Sequence, residues 1–187
     1  MKRTLLLIFL LSTFTSFSQS SSEKNKNNLD SLFDAIKKRE NEAVGKQYPE
    51  FKFHFDNIEY SNSTLKGKII FINFWFATCP PCLAEFDELN KLYAKFKDNS
   101  NFEFISFTFE DSEKIESIKK AYRISYTVIS IPKEDCYKLN LNNGFPTSVI
   151  LDKDGKIKLI HSGGSLVRTD IKHFFSEKYY PLISSEL

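Results

Sequence analysis

Trp75-Phe76-Ala77-Thr78-Cys79-Pro80-Pro81-Cys82 is the stretch on which the fold turns. It is entered from a continuous apolar run, Ile69-Ile70-Phe71-Ile72-Asn73-Phe74. It leads into Leu83, Phe86, Leu89, Leu92, Tyr93 and Phe96, with charged residues between them. A run apolar at nearly every position is a strand buried on both faces. Apolar residues at three- and four-residue intervals make an amphipathic helix. Two cysteines two residues apart therefore stand at a strand-to-helix junction. Such a pair can close a small disulfide or bind a soft metal.

The helix start bears on their reactivity. With Cys79 near the N-cap, Pro80 and Pro81 occupy the next two positions, where a missing N–H costs little. They also cannot donate to the Cys79 sulfur. The first N–H that can is that of Cys82. This donor and the helix N-terminus should lower the Cys79 pKa. Cys79 is thus the expected attacking thiol and Cys82 the resolving thiol. A zinc site would need about four ligands. The only other cysteine is Cys136, and His54, His161 and His173 show no ligand spacing. No metal is expected, and no cofactor beyond a redox-active Cys79–Cys82 disulfide. Cys136 reads as a small buried apolar residue.

Downstream, Phe102 to Phe109 reads as a strand and Ser112 to Tyr122 as a helix. Tyr126 to Ile131 is a strand closed by Pro132, and Glu134 to Leu139 a short helix. After the loop Asn142-Asn143-Gly144-Phe145-Pro146, Thr147–Leu151 and Ile157–His161 form a hairpin around Asp152-Lys153-Asp154-Gly155. That turn is not a calcium loop, because Gly163 stands where the bidentate Glu would be. A last helix starts near Arg168. Strands joined through helices pair in parallel, and the late hairpin adds an antiparallel edge. The expected architecture is α/β, a central mixed sheet flanked by helices.

Upstream, Phe51, Phe53 and Phe55 alternate with polar residues, and Asp56-Asn57 is a turn signal, so residues 48–66 read as an N-terminal hairpin. Leu29, Leu32, Phe33, Ile36, Ala43 and Val44 recur at helical spacing. This amphipathic helix could face a partner, although packing on the domain is the simpler reading. Residues 19–28 are a polar tether. Lys2 and Arg3, the apolar run Thr4–Leu11 and the small residues up to Ser18 read as a signal peptide cleaved after Ser18. The apolar run falls short of the roughly 20 residues that span a membrane. The resulting layout is 1–18 signal peptide, 19–47 tether and helix, 48–187 domain. An exported chain meets an environment where cysteine pairs can be oxidised.

Without Lys2 and Arg3, the remaining basic and acidic residues are equal in number, 24 each. No basic cluster marks a nucleic-acid partner. Hydrophobic residues at 41% and charged residues at 27% exclude wholesale disorder.

The motif at 75–82, Gly144-Phe145-Pro146-Thr147 and the Asp-Lys-Asp-Gly hairpin together resemble the thioredoxin superfamily. The export signal, the N-terminal hairpin and the central insert around 103–125 resemble its TlpA/ResA-like envelope branch. The likeness spans roughly residues 48–180. It implies a thioredoxin-like fold and a thiol–disulfide oxidoreductase of the bacterial periplasm. The direction would be reductive, as in cytochrome c maturation. Partners would be envelope protein thiols and disulfides, with an upstream electron donor and no membrane insertion after cleavage.

The likeness further implies a cis Pro146 against the cysteine pair. Phe145 and Thr147 would meet substrate beside it, as would Trp75, Pro80 and Pro81. Glu85 would be an acidic residue beside the buried thiol of Cys82. Asn73 and Thr78 depart from thioredoxins themselves, which carry Asp and Trp there. Two alternatives are a thiol peroxidase of the same fold and a non-catalytic metal-binding or scaffold module. The peroxidase pattern Pro-x-x-x-Thr-x-x-Cys is not met, since Ile72 and Phe76 hold its first two positions.

Overall fold

The computed structural model describes residues 30–187. The expected signal peptide and polar tether lie outside these residues. Residues 30–39 are helical, and Glu40–Leu187 form a compact unit. The first helix, α1, covers residues 30–43. Leu32 and Phe33 on it are exposed, whereas Ala43 is buried in the compact unit. After it, Gly45 N–H donates to the Ile157 carbonyl at 2.7 Å, and Tyr48 N–H to the Gly155 carbonyl at 3.0 Å.

Lys52–Phe55 (β1) and Ile58–Ser61 (β2) form a separate antiparallel hairpin. Its turn residues Asp56 and Asn57 take φ of 49° and 61°. Those are the left-handed positions of the tight turn that matches strand twist, and Asp and Asn tolerate them.

Ile69–Phe74 (β3), Phe102–Thr108 (β4), Thr127–Ser130 (β5), Thr147–Leu151 (β6) and Ile157–Ser162 (β7) make one sheet, in the order β5-β4-β3-β6-β7. β3 pairs in parallel with β4 and antiparallel with β6. The sheet is mixed, as the order of elements implied. The parallel crossovers contain Pro80–Phe96 (α2) and Ser112–Tyr122 (α3). Lys133–Leu139 (α4) and Arg168–Phe174 (α5) follow.

The two faces of β3 explain its apolar run. Ile69 and Phe71 point into a core with Phe86, Leu89 and Leu92 of α2 and with Ile171 of α5. Ile70, Ile72 and Phe74 point the other way, into a core shared with Phe51 just before the hairpin, Tyr60 of β2 and Leu139 of α4. Period-two alternation thus feeds two apolar layers, and neither face sees water. Asn73 is the buried polar exception in this strand. Its Nδ2 donates to Ser148 Oγ at 3.3 Å, and its Oδ1 accepts from Ser106 Oγ at 3.5 Å, so the amide is partnered.

The C-terminal helix runs further than its sequence pattern implied. After α5 comes a π-helical turn, Phe175–Tyr179, and then Tyr180–Glu186 (α6). Pro181 explains the irregularity: it has no N–H for the regular ladder, and a wider turn just before it absorbs the break. The turn still buries Phe175 and Tyr179 against the first core.

Aromatic contacts knit that core. Phe104 stacks on Phe71 with centroids 5.0 Å apart and lies 4.4 Å from Tyr126. Phe104→Ala is therefore expected to cost about 3–5 kcal/mol of unfolding free energy. Urea denaturation with the disulfide intact measures it. A loss under about 1 kcal/mol would show that Phe104 is not in the cooperative core.

Candidate functional site

The end of β3 sets the site. Trp75, fully buried, packs edge-on against Phe86 of α2 at 5.2 Å. The chain then turns, with Cys79 N–H donating to the Phe76 carbonyl at 3.2 Å. Ala77 N–H donates to Glu110 Oε1 at 2.7 Å, which ties this turn to the loop after β4. Nothing in the sequence marked Glu110, because its link to Ala77 spans 33 residues.

Cys79 is the N-cap of α2, in extended conformation, with Pro80 and Pro81 in the first helical positions. Its sulfur accepts from Cys82 N–H at 3.3 Å. This is the arrangement expected from the two prolines. Cys79 and Cys82 are joined in a disulfide with Cα atoms 5.3 Å apart. Both are buried, while Pro80 and Thr78 are exposed at the surface beside them.

Phe145–Pro146 is cis. The loop carrying it is held from behind. Gly144, at φ 84°, presents a carbonyl that accepts from Asn140 Nδ2 and Thr147 Oγ1, each at 2.8 Å. Gly163 N–H donates to the Pro146 carbonyl at 2.9 Å. Phe145 joins an aromatic group with Phe76 (5.3 Å), Phe109 (5.7 Å) and Tyr137 (5.4 Å). Phe109 and Tyr137 come from distant segments, so periodicity could not reveal this cluster.

Gly164 reveals how these parts meet. A Cβ placed there would lie 2.9 Å from Glu85 Oε1, 3.1 Å from Pro146 Cγ and 3.2 Å from Pro81 Cβ. Two segments distant in sequence, the start of α2 and the Pro146 loop, converge on one bare backbone position. Any larger residue would crowd the carboxylate and both prolines. The sequence showed only a Gly-Gly strand breaker here.

Glu85 sits one turn after Cys82 and is only 7% exposed. Burial pushes its carboxyl up to about 8. A solvated helix residue is thereby excluded. The tyrosine hydroxyls of Tyr126 and Tyr179 are raised by burial and then further by the Glu85 charge. Trp75 Nε1 and the Tyr126 hydroxyl are buried without a hydrogen-bond partner among the described residues.

The expected substrate contacts divide. Pro80, Pro81 and Phe145 reach the surface, fully or in part. Trp75 and Thr147, each 0% exposed, do not. Their side chains shape the site from beneath: Trp75 by packing, Thr147 by holding the Gly144 carbonyl. A residue's place in a motif does not distinguish the exposed side of a strand from the buried one. Pro146 is buried, and its ring, like that of Pro81, borders the space a Gly164 side chain would take.

Cys136 lies on α4, fully buried in the core on the opposite sheet face. Burial first, and then Asp135, push its thiol up to about 12. His161 stacks on Phe174 at 4.1 Å, and burial pulls it down to about 4. Among the described residues, no cluster of three or more His, Cys, Asp or Glu is arranged to hold a metal ion.

Residues 43–173 match the profile described as Redoxin. The chain belongs to the Redoxin family. This redoxin is 30% identical over 121 residues to "Thiol-disulfide oxidoreductase ResA" of Bacillus cereus, covering 64% of this chain and 69% of that one. It is 29% identical over 133 residues to the protein of that name in Geobacillus kaustophilus, covering 70% and 75%. Its fold resembles a crystal structure from Chlorobium tepidum assigned as thiol:disulfide interchange protein DsbE. The TM-score is 0.62, at 24% identity over 74% of this chain and 97% of that one. This redoxin has a thioredoxin-like fold and is a thiol–disulfide oxidoreductase.

The raised Glu85 pKa carries a stability signature. In the unfolded chain the carboxyl loses its proton near 4.5, and in the folded chain near 8. Between these values the native state holds a proton that the unfolded state has lost, so stability falls as pH rises through the window. The stabilisation is complete below about 4.5 and lost through about 8. Glu85→Gln is expected to flatten this fall. Urea midpoints of the oxidised proteins from pH 5 to pH 8 measure it, and parallel curves for the two would contradict a buried Glu85 carboxyl.

Proposed function

We propose that this protein exchanges disulfides with other proteins of the cell envelope through Cys79 and Cys82, and that it works as a reductant. In the reduced state, the Cys79 thiolate attacks one sulfur of a partner disulfide. A mixed disulfide forms and the partner's other sulfur leaves as a thiolate. Cys82 then gives up its proton and attacks the Cys79 sulfur. The Cys79–Cys82 disulfide closes, and the partner leaves as a dithiol reduced by two electrons. An upstream dithiol donor restores the pair by the same steps in reverse.

The observation that carries this reading is the convergence of Pro81, Pro146 and Glu85 on Gly164, with Cys79 capping the adjacent helix. The ionised fraction of Glu85, which grows as pH rises toward about 8, takes the Cys82 proton. The Glu85 pKa of about 8 lies near that of an ordinary thiol, about 8.5, so the transfer is nearly balanced. Backbone groups of Phe145 offer the partner strand an edge to pair with, and Pro80 and Pro81 frame the approach. No cofactor beyond the disulfide enters this chemistry.

The reducing direction is supported by the donor count at Cys79. Pro80 and Pro81 contribute no N–H, and only Cys82 N–H reaches the sulfur. A thiolate with few donors is less stabilised, which weakens the reduced form and makes the pair a better reductant. The proposed place of action is the periplasm, from the basic and apolar residues at 2–18. Among the described residues, no helix is long and apolar enough to cross a membrane. Cysteine pairs of the kind reduced in cytochrome c maturation are suitable substrates.

Reduced protein is expected to cleave insulin disulfides, Cys79→Ser to lose this activity by at least a hundredfold, and Cys82→Ala to accumulate a mixed disulfide through Cys79. Turbidity and non-reducing gels read these outcomes. Full insulin reduction by Cys79→Ser would overturn the assignment.

A further inference from the structure

A cleft of about 600 Å³ opens beside the disulfide, starting at Pro80, the residue after Cys79. Its floor is Leu83 and Ala84 of α2, and its walls include Tyr122 and Arg123 at the end of α3 and the exposed Leu166. A second hollow of about 200 Å³ shares Ala84, Asp87 and Arg168 and continues to Lys91 and Lys172, between α2 and α5. Together they follow the outer face of α2 from Pro80 to Lys91. At about 1.5 Å per helical residue that is roughly 16 Å, room for about five residues of extended chain.

The charges along this groove are unbalanced. Arg123, Arg168, Lys91 and Lys172 face only Asp87 and Glu88. Asp87 pairs with Arg168 at 3.0 Å, and Glu88 with Lys91 at 2.6 Å. Arg123 and Lys172 have no carboxylate in ion-pair range among the described residues. The apolar floor lies between these cations. The near end of the groove is Pro80, next in sequence to Cys79.

We propose that this groove docks an acidic segment of the redox partner's polypeptide, flanking its reactive cysteine, and that Arg123 sets the preference for it. The inference rests on the exchange chemistry proposed above. One apolar side chain of the segment sits on Leu83 and Ala84, and an Asp or Glu beside it meets Arg123. The Arg168–Asp87 pair crosses the groove where the two hollows join. It is exposed on both sides, so parting it to admit a chain costs little. Arg123 is placed by its backbone. It ends α3 at φ 54°, in the left-handed conformation, which turns the chain just there.

The test compares two synthetic peptides that carry the same cystine, one flanked by Leu-Asp-Asp and the other by Leu-Lys-Lys. A neutral small disulfide, hydroxyethyl disulfide, is the control. The full chain, reduced, is expected to turn over the acidic peptide with kcat/KM at least severalfold above the basic one, with the ratio shrinking as salt rises. Arg123→Asn, which tolerates the left-handed backbone, should lower that ratio about two- to fivefold. Arg123→Asp should lower it further. Lys172→Gln should act in the same direction. Equal, salt-insensitive turnover of both peptides, or a ratio unchanged in Arg123→Asp, overturns the groove. If wild-type protein reduces none of the three disulfides, the exchange reading itself fails, and the groove proposal falls with it.

Discussion

Burial of β3 on both faces is the constraint from which the rest follows. Six consecutive residues, Ile69 to Phe74, are all buried. One strand can meet that demand only at the centre of a sheet with apolar cover on each side. The α2 and α5 helices cover one face; the β1–β2 hairpin and α4 cover the other. Because β3 is central, its carboxyl end opens into the crevice between sheet and helix, where open α/β sheets place their chemistry. Cys79 and Cys82 emerge there.

The electrostatics of the pair follow from which donors are missing. A helix N-terminus ordinarily offers several free N–H groups to an N-cap sulfur. Here two are replaced by proline, and the sulfur keeps one, that of Cys82. The second ionisable group, Glu85, is governed by desolvation instead. It is enclosed beside Pro81, Pro146 and the Gly164 backbone, and burial alone accounts for its upward shift. Around this centre, Gly164 is important for what it lacks, since a side chain there would occupy the space in which carboxylate and prolines meet.

The elements that could be read in advance are those whose signal is local. The alternation of Phe51, Phe53 and Phe55 marked β1, and Asp56-Asn57 its turn. The three- and four-residue spacing marked α2, and the two cysteines with their prolines marked the helix start. The π-turn at Phe175–Tyr179 was missed, although Pro181 was its visible cause. The aromatic group around Phe145, the tie from Glu110 to Ala77 and the bare position at Gly164 had no local signature. Each joins residues brought together only by the sheet order. Motif membership likewise carried no sign that Trp75 and Thr147 are buried, with side chains that face inward.

By itself, then, the sequence determined the identity and order of the elements, the cysteine pair at a strand-to-helix junction and the absence of N–H donors at Pro80 and Pro81. These depend on neighbours within a few residues, where periodicity and proline chemistry act directly. Only the tertiary structure decided that Glu85 is buried and not solvated, that Cys136 lies on the far side of the sheet, and that a groove runs from Pro80 along α2. Burial and long-range proximity are set by how layers stack, and layer stacking brings together residues that no window of sequence contains.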